Sequence, residues 1–338
     1  MNILVIRNDK LGDFVLTLPC YAVLKAAQPN IRITVLVPEY TGDIAHSCPH
    51  IDQVIIDPGK NSVTSFASLV SELRTHNFNA VITLFSTTRT GLAVLLAGIK
   101  YRLAPATKIA QLFYNHRLRQ RRSRSDKPEY VYNLDLIKTY LSHQGILNIS
   151  EPAPPFLSFD KSLTNQLQDQ FCQKFSIDKN KKLIFIHAGS GGSANNLSLE
   201  QYAILAAMLD PVNEHALVLT AGPGEEDKIT ALSKLMHNIP HVVYHSRQGL
   251  GNFAKHIAFA DLFISGSTGP LHIAGALNVP TAAFYTRRRS ATSLRWQTLN
   301  TPDRRLAFTP PETADETDMS QIDIQAAANE IRNKFLKI

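Results

Sequence analysis

Three stretches of the sequence carry residues whose types and spacing could take part in chemistry, and the first of them holds a lone acid. Within residues 8–19, NDKLGDFVLTLP, Gly12 is followed directly by Asp13, and the preceding run NILVIR is typical of a first β-strand. Nucleotide-binding folds usually place a glycine-rich phosphate loop there, whereas a lone carboxylate repels phosphate. The residues alone leave two roles open for Asp13: an acid that acts in a site, or a cap on the following helix.

The second stretch, HAGSGGSANN, is rich in glycine and follows another apolar run. Its residues 189–194 match the dinucleotide-binding pattern G-x-G-x-x-A. The acid expected at the end of the next strand is missing, because that strand ends LVLTAGPG and its first following acid is Glu225. The backbone N–H groups and the hydroxyls of Ser190 and Ser193 could instead form a nest for an anion. A phosphate nest, a flexible turn and a dinucleotide site stay open, and the last is the least favoured.

The third stretch, SGSTGPLHIAGAL, has the signals of a helix start. Ser267 or Thr268 can cap a helix that begins near Gly269, and Pro270 suits the first turn, where a missing N–H costs nothing. The N–H groups at such a start attract anions, although each dipole contact contributes only about 0.3–1 kcal/mol when exposed. A diphosphate would need further donors, and His272 lies one turn inside. The alternative is an ordinary capped helix with a buried His272.

All three stretches occupy similar places in a repeated pattern of strands and helices. Short apolar runs alternate with amphipathic segments, which is typical of β-α-β units and a parallel sheet. The alternation stops at the proline-rich stretch EPAPPFLSF and then restarts. We therefore predict an α/β protein with domains at 1–155 and 181–319, joined by a linker at 156–180. Ligands of open parallel sheets bind beyond the carboxyl ends of the strands, where all three stretches fall.

Composition narrows the class of protein. The 338 residues are 44% hydrophobic and 19% charged, as in a soluble globular chain. No apolar run reaches the roughly 18 residues of a membrane span, and the N-terminus lacks a signal-peptide pattern. Cys20, Cys48 and Cys172 are too far apart for a metal site or a disulfide framework, and no D-x-D motif occurs. We expect a cytoplasmic protein that binds no metal.

Positive charge is concentrated in two places. The formal net charge is +7. Six basic residues fall within eleven positions, namely Arg117, Arg119, Arg121, Arg122, Arg124 and Lys127. Three more arginines are consecutive at 287–289. Excess positive charge favours anionic partners, but no nucleic-acid-binding module accompanies the first run, and an ordinary solvated surface stays open as an alternative.

Together, the three stretches resemble glycosyltransferase family 9, the ADP-heptose–lipopolysaccharide heptosyltransferases. KLGDFVLTLP matches the family's x-x-G-D-x-x-x-x-x-P segment after a first strand, and HAGSGGSANN and STGPLHIAGAL follow in the family's order. The resemblance runs from Met1 to the last helix. It implies the GT-B architecture, in which two Rossmann-like domains face each other across a cleft. It also implies that the helix at 320–338 crosses back and packs on the N-terminal domain.

The resemblance implies roles for residues of the N-terminal domain, which binds the acceptor in this family. The acid after the glycine is the family's proposed catalytic base, so Asp13 would take the proton of an acceptor hydroxyl. We predict Lys10, Arg119, Arg121 and Arg122 as basic contacts to the acceptor. Family enzymes invert the anomeric configuration and need no metal, and the nucleotide sugar is a co-substrate rather than a cofactor.

The nucleotide-sugar donor would bind mainly to the C-terminal domain. The predicted donor contacts are Ser190, Gly191, Gly192, Ser193, Asn195, Glu225, Thr268, Gly269, Pro270 and His272. Glu225, with Glu226 as its alternate, would accept a hydrogen bond from a ribose or sugar hydroxyl. The family commonly has lysine where this chain has Asn195, so less positive charge meets the diphosphate. The arginines at 287–289 are candidates to supply it.

We therefore predict an inverting glycosyltransferase that moves a heptose or similar sugar from a nucleotide-diphosphate donor, ADP-heptose by the resemblance, to the lipopolysaccharide inner core. Its partners would be the donor and a core–lipid A acceptor, and nucleic acid is not expected. Peripheral contact with an anionic inner-membrane surface follows as a hypothesis, at about 1 kcal/mol per basic residue. Two alternatives stay open: a non-catalytic nucleotide-sugar or glycolipid binding protein on the same fold, and an NAD-dependent oxidoreductase.

Overall fold

The computed structural model describes residues 1–59, 62–189 and 195–336. The chain divides into two compact units, Met1–Phe156 and Leu157–Ile338. Each unit is built on its own six-stranded sheet with helices between the strands. The α/β class predicted from the alternating pattern is therefore confirmed.

The first sheet has the strand order β3-β2-β1-β4-β5-β6, and its neighbouring strands are parallel. Its strands are β1 Asn2–Ile6, β2 Arg32–Pro38, β3 Gln53–Asp57, β4 Ala80–Thr83, β5 Tyr101–Pro105 and β6 His116–Leu118. The helices of this unit are α1 Leu11–Val15, α2 Leu18–Ala27, α3 Gly42–His46, α4 Val63–Thr75, α5 Thr88–Leu96 and α6 Glu129–His143. The order reverses between β1 and β4, and sheets of this kind bind ligands beyond the carboxyl ends at that point.

Burial explains why the central segments form strands. Ile3, Leu4, Val5 and Ile6 of β1 have no exposed surface. Parallel strands covered on both faces need continuous apolar runs rather than alternation, and NILVI and AVIT are such runs. Each fully buried aliphatic side chain contributes roughly 1.5–3 kcal/mol. The central strands therefore give the carboxyl edge of the sheet a rigid base.

The second sheet has the order β12-β11-β10-β7-β8-β9, which, counted within the unit, is the order of the first sheet. Its strands are β7 Leu183–His187, β8 Ala216–Ala221, β9 His241–His245, β10 Leu262–Gly266, β11 Thr281–Phe284 and β12 Arg305–Phe308. The helices of this unit are α7 Lys161–Phe175, α8 Leu199–Leu209, α9 Glu226–Leu235, α10 Gly249–Ile257, α11 Gly269–Ala276 and α12 Ile324–Ile331. In the described part of the chain, no helix has both the length and the apolar character needed to cross a bilayer.

Side-chain caps fix where two helices begin. Ser198 accepts a hydrogen bond from the backbone of Gln201, and the Gln201 side chain accepts one from the backbone of Ser198. Thr87 and Thr90 form the same reciprocal pair at the start of α5. Each such cap contributes on the order of 1 kcal/mol. Because both helices follow strands, the caps fix the chain near the carboxyl edges of the two sheets.

The segment predicted as a linker contains a helix. Residues 156–180 include α7, and Phe171 of α7 packs on Phe185 of β7 with ring centroids 5.9 Å apart. Asp160 accepts a hydrogen bond from Leu163 N and so starts the helix. The proline-rich stretch is a true interruption, but the chain after it already belongs to the second unit.

The last helix also differs from its predicted place on the first domain. Ile324, Ala327, Ala328 and Ile331 of α12 are buried in the core of the second unit, and α12 contacts α8. The spacing of these four residues places them on one helical face. Amphipathic spacing predicts that a face is covered, but it does not tell which surface covers it.

Candidate active site

Asp13 lies beyond the carboxyl end of β1, at the edge of the first sheet. It is the third residue of α1, and the N-cap position belongs to Lys10, whose side chain makes no capping hydrogen bond. The alternative role of Asp13 as a helix cap is therefore wrong. Its carboxylate is 16% exposed and pairs with the guanidinium of Arg7, the first residue after β1.

Arg7 is the centre of a buried charge cluster. Its side chain is 2% exposed, and its nitrogens contact the carboxylates of Asp9, Asp13 and Glu129. The distance from Nε to Asp9 Oδ1 is 2.7 Å, and that from Nη1 to Glu129 Oε1 is 3.2 Å. Nη1 also donates to Asn133 Oδ1 at 3.2 Å. Breaking a buried ion pair by removing one partner costs roughly 3–5 kcal/mol, so this cluster fixes the end of β1 against α6.

A second guanidinium, from the basic run, joins this cluster. Arg122 Nη1 lies 2.6 Å from Glu129 Oε1, and Arg122 Nη2 donates to Asn133 Oδ1 at 3.3 Å. The amide of Asn133 in turn donates to the backbone carbonyl of Leu16 at 3.3 Å. Glu129 therefore bridges two arginines, and α6 is tied to the segment that carries Asp13.

Burial sets the protonation of the Asp13 carboxyl. Burial raises the pKa of Asp13 to about 6; the Arg7 guanidinium opposes this shift, and the charges of Asp9 and Glu129 add to it. Burial acts to lower the pKa of Arg7, but the three acids around it outweigh burial and raise that pKa. A carboxylate whose pKa lies close to the working pH is well matched to accept a proton from a reacting hydroxyl. Asp13 is therefore suited to act as a general base.

A second polar cluster, which was not predicted from the sequence, lies at the carboxyl edge of the first sheet. Asp57, the last residue of β3, accepts from Arg89 Nη1 through both oxygens at 2.7 and 2.8 Å, and from Asn8 Nδ2 at 2.8 Å. The Nε and Nη2 atoms of Arg89 are buried and have no hydrogen-bond partner in the described part of the chain. The available signal was an acid at the end of the apolar run QVIID, because strand ends meet at the ligand edge.

Part of the predicted donor site falls in the glycine-rich loop of the second unit. Four predicted contacts lie outside the described residues: Ser190, Gly191, Gly192 and Ser193. Beside them, Asn196 Nδ2 donates to the carbonyls of Ala188 and Gly189 at 3.0 and 3.3 Å, and Tyr202 donates to Asn196 Oδ1 at 2.6 Å. Asn195 is exposed. The two ends of the loop are thus held together by an asparagine that the sequence analysis did not single out.

Glu225 borders this loop from the turn between β8 and α9. Its Oε2 accepts from the backbone N–H of Gly222 at 2.9 Å and lies 3.7 Å from His187 Nε2. The carboxylate packs so closely on Gly189 that a Cβ at that glycine would lie 2.1 Å from Glu225 Oε1. Burial lowers the pKa of His187, with the charge of Glu225 opposing. The glycine therefore makes the space in which the acid sits.

The predicted helix start is present in α11, at the carboxyl end of β10. Thr268 occupies the N-cap position and Pro270 the first turn. The Thr268 hydroxyl does not cap the helix and instead lies 3.0 Å from Ser265 Oγ. Burial lowers the pKa of His272 to about 4, so its imidazole is neutral near pH 7. His272 can therefore contribute a hydrogen bond but no positive charge.

Comparison with known proteins identifies the family. The model of glycosyltransferase family 9 (heptosyltransferase) matches residues 66–305. A Haemophilus influenzae protein, itself only provisionally assigned as a glycosyltransferase, is 47% identical over 331 residues, which cover 98% of this chain and 95% of that protein. The chain belongs to glycosyltransferase family 9.

More distant relatives have more specific names. Lipopolysaccharide heptosyltransferase 1 of Campylobacter coli is 25% identical over 84% of each chain. The solved structure of E. coli ADP-heptose LPS heptosyltransferase II is 18% identical, with 99% of both chains covered and a TM-score of 0.78. The predicted fold, with two Rossmann-like units, is confirmed. Membership of family 9 makes the chain a glycosyltransferase and replaces the oxidoreductase alternative.

The predicted basic contacts of this family 9 enzyme have two different surroundings. Lys10, Arg119 and Arg121 are exposed. Arg119 and Arg121 line a cavity of about 420 Å³ beside α6. Arg122, by contrast, is turned toward the Asp13 cluster through its contact with Glu129. The exposed arginines are therefore accessible to an anionic ligand, whereas Arg122 is already engaged by the protein.

The arginines at 287–289, which are candidates to supply positive charge to a diphosphate, have different surroundings. Arg287 Nη2 donates to the backbone carbonyls of Glu312 and Ala314 at 3.3 and 2.7 Å, so its guanidinium holds that segment in place. Arg288 and Arg289 are exposed. Over the ranges that the structure describes, no group of three or more His, Cys, Asp or Glu side chains is arranged to hold a metal ion in this family 9 enzyme.

Proposed function

We propose that this glycosyltransferase moves a heptose from ADP-heptose to the lipopolysaccharide inner core, with inversion at the anomeric carbon and without a metal ion. The observation that carries the proposal is the partly exposed carboxylate of Asp13, which Arg7 holds at the carboxyl edge of the first sheet and whose pKa is raised to about 6. The names of relatives supply the sugar, the nucleotide and the acceptor class.

In the proposed reaction Asp13 acts as general base. The acceptor hydroxyl oxygen attacks the anomeric carbon from the face opposite the diphosphate, and the bond from that carbon to the diphosphate oxygen breaks. The hydroxyl proton passes to Asp13, and ADP leaves with the bonding electron pair. A single displacement of this kind inverts the configuration. General base catalysis contributes roughly 10²–10⁴ in rate.

The second unit would hold the ADP part of the donor. The first turn of α11 offers backbone N–H groups that the Thr268 side chain does not occupy, and such groups favour phosphate oxygens. Glu225 would accept a hydrogen bond from a ribose or sugar hydroxyl. Asn195 would contribute a hydrogen bond without the charge of the family's lysine, so backbone dipoles carry more of the phosphate binding here.

The exposed basic side chains of the first unit would meet the acceptor. Inner-core sugars and lipid A carry carboxylates and phosphates, and Arg119 and Arg121 line a cavity that is accessible to them. Lys10 lies at the start of α1, close to Asp13 along the chain. The same charges would hold the enzyme peripherally on an anionic membrane surface, on which the acceptor is presented.

A non-catalytic role on the same fold is the second candidate. One observation favours it: Asn195 stands where the family commonly has a lysine. A protein of this kind would bind ADP-heptose or a glycolipid but would not release ADP in the presence of both. Asp13 would then be no more than a partner of Arg7.

A transfer assay with ADP-heptose and lipid A that carries only the octulosonic acid sugars tests the proposal. We expect ADP release that depends on the acceptor and is unchanged by EDTA, and a product whose new glycosidic bond is inverted by NMR. UDP-sugars serve as control donors. Binding of ADP-heptose without acceptor-dependent ADP release would support the second candidate and contradict the first.

A further inference from the structure

The cluster around Arg7 contains more acids than bases. Asp9, Asp13 and Glu129 bring three negative charges when all are ionised, and Arg7 and Arg122 bring two positive charges. The ionised cluster therefore carries one excess negative charge, and it becomes neutral when a single carboxylate takes a proton. Proton uptake is the change that a general base undergoes during its reaction.

The contacts set Glu129 apart from the two other carboxylates that could take that proton. Glu129 is 2% exposed and lies within 3.2 Å of one guanidinium and 2.6 Å of the other. Both contacts are ion pairs between a guanidinium and this carboxylate, so Glu129 is engaged by two cations inside the protein. Asp13 shares its single guanidinium, that of Arg7, with Asp9 and Glu129. Asp9 and Asp13 are exposed to a similar extent, 15% and 16%, so a hydroxyl can reach either, and the proposed role of Asp13 as the base selects between these two.

We propose that Glu129 and Arg122 are positioning residues that adjust Asp13 as a base through their contacts with Arg7. This inference rests on the proposed role of Asp13. Glu129 supplies the excess negative charge and holds Arg7 in place. Arg122 offsets part of the negative charge of Glu129 and holds its carboxylate in place. Arg122 is thereby assigned to the base rather than to the acceptor, although it belongs to the basic run.

The proposal gives the two residues opposite effects on Asp13. Burial is the largest cause of the raised pKa of Asp13, and the charge of Arg7 opposes it. The negative charge of Glu129 adds to the rise. Two further titratable groups lie beside the cluster: Tyr40, whose hydroxyl donates to the Asp9 carbonyl, and Cys20, whose pKa is raised by burial against the charges of Arg122 and Arg7. Burial raises the pKa of Tyr40, which is therefore neutral. Loss of the Glu129 charge should lower the pKa of Asp13, and loss of the Arg122 charge should raise it.

The test is an NMR titration of the ¹³C-labelled Asp13 carboxyl in the full chain without substrates, assigned by its absence in Asp13→Asn. We expect a shift of about one pH unit downward in Glu129→Gln and upward in Arg122→Gln, the size of a neighbouring-charge effect. Arg122→Lys keeps the charge and should titrate as wild type. Glu151→Gln is the matched control, because it changes a carboxylate of an exposed ion pair with Lys138 in the same unit.

The pH dependence of kcat/KM links this titration to function. The midpoint of its acidic limb should fall in Glu129→Gln and rise in Arg122→Gln, as the midpoint of the Asp13 titration does. If the two residues were only structural, their variants would lose activity without a change in this midpoint. Equal titration midpoints in wild type, Glu129→Gln and Arg122→Gln would overturn the inference. Shifted midpoints without transfer by the wild-type enzyme would overturn the proposed function alone. If Glu129→Gln does not fold, the comparison of Arg122→Gln with Arg122→Lys tests the inference by itself, because only the first variant removes the charge.

Discussion

Asp9, Asp13 and Glu129 have the same functional group, yet their surroundings differ. Glu129 is enclosed by two guanidiniums and is almost fully buried. Asp9 accepts from Arg7 Nε at 2.7 Å beside the end of β1. Asp13 is exposed to a similar extent as Asp9, and burial raises its pKa to about 6. At the residue scale, one arginine therefore pairs with three acids that differ in exposure and in their other partners.

Asp13→Asn should keep the fold and lower turnover by about 10²–10⁴. The amide resembles the carboxyl in shape but cannot accept the proton of the acceptor hydroxyl. ADP release with saturating donor and acceptor measures turnover, and ADP binding by calorimetry is the control for an intact second unit. Turnover at the wild-type rate would exclude Asp13 as the base.

Asp13→Asn should also change the way in which the stability of the protein depends on pH. The pKa of Asp13 rises from its ordinary 3.8 to about 6 in the fold, so the folded state binds this proton more tightly. The stability that Asp13 contributes is present below its unfolded pKa and is lost as pH rises through about 6. Because asparagine resembles the protonated form, the variant should melt no lower than wild type at pH 7.5. Thermal melts from pH 4 to 8 check this, and a lower Tm at pH 7.5 would contradict it.

Gly189→Ala should weaken ADP binding, whereas Gly222→Ala should be tolerated. A Cβ at Gly189 would lie 2.1 Å from Glu225 Oε1, so the carboxylate must move. A Cβ at Gly222 would lie 3.4 Å from Glu225 Oε2, an ordinary contact. Both changes add one methyl group beside the same acid. Calorimetric titration with ADP should show at least a tenfold loss for Gly189→Ala, and equal losses in both variants would contradict the proposed role of Glu225.

At the scale of elements, the sequence predicts what is local. The apolar runs of β1 and β7, the helix start at Thr268 and the acid after Gly12 follow from residues that are neighbours in the chain. The pairing of Arg7 with Glu129 does not, because nothing in either segment indicates the other. For the same reason α12 was predicted on the wrong unit, since its apolar face is readable but the surface that covers it is not.

Ile331→Ala should destabilise the second unit by about 2–5 kcal/mol. Ile331 of α12 has no exposed surface, and its side chain belongs to the core formed by the second sheet. Glu330→Ala, one position earlier and exposed, is the matched control and should change stability by less than about 0.5 kcal/mol. Urea unfolding followed by circular dichroism measures both. Equal midpoints would show that α12 is not part of that core.

At the scale of the whole molecule, the net charge of +7 is distributed unevenly and its parts differ in use. Arg122 and Arg287 are engaged by the protein through a carboxylate and through backbone carbonyls. Arg119 and Arg121 are exposed beside a cavity. A count of basic residues along the sequence therefore overstates the charge that is offered to a partner.

Replacing both Arg119 and Arg121 by serine should raise the acceptor KM severalfold and leave kcat and ADP affinity nearly unchanged, as for a uniform-binding contact. The effect should shrink with salt, because the Debye length falls from about 10 Å at 0.1 M to about 3 Å at 1 M. Kinetics at two salt concentrations measure this. Arg288→Ser/Arg289→Ser is the control with the same charge change in the other unit. An unchanged acceptor KM at low salt would identify the run as solvated surface.

The contact between Arg7 and Glu129 joins residues 122 positions apart. During translation, Arg7 and Asp13 leave the ribosome long before α6, the helix that carries Glu129 and Asn133. The central strand β1 is synthesised first, but the charge cluster beside it is completed only when almost all of Met1–Phe156 has been translated. Formation of the complete cluster around Arg7 is therefore a late event in the biosynthesis of the first unit.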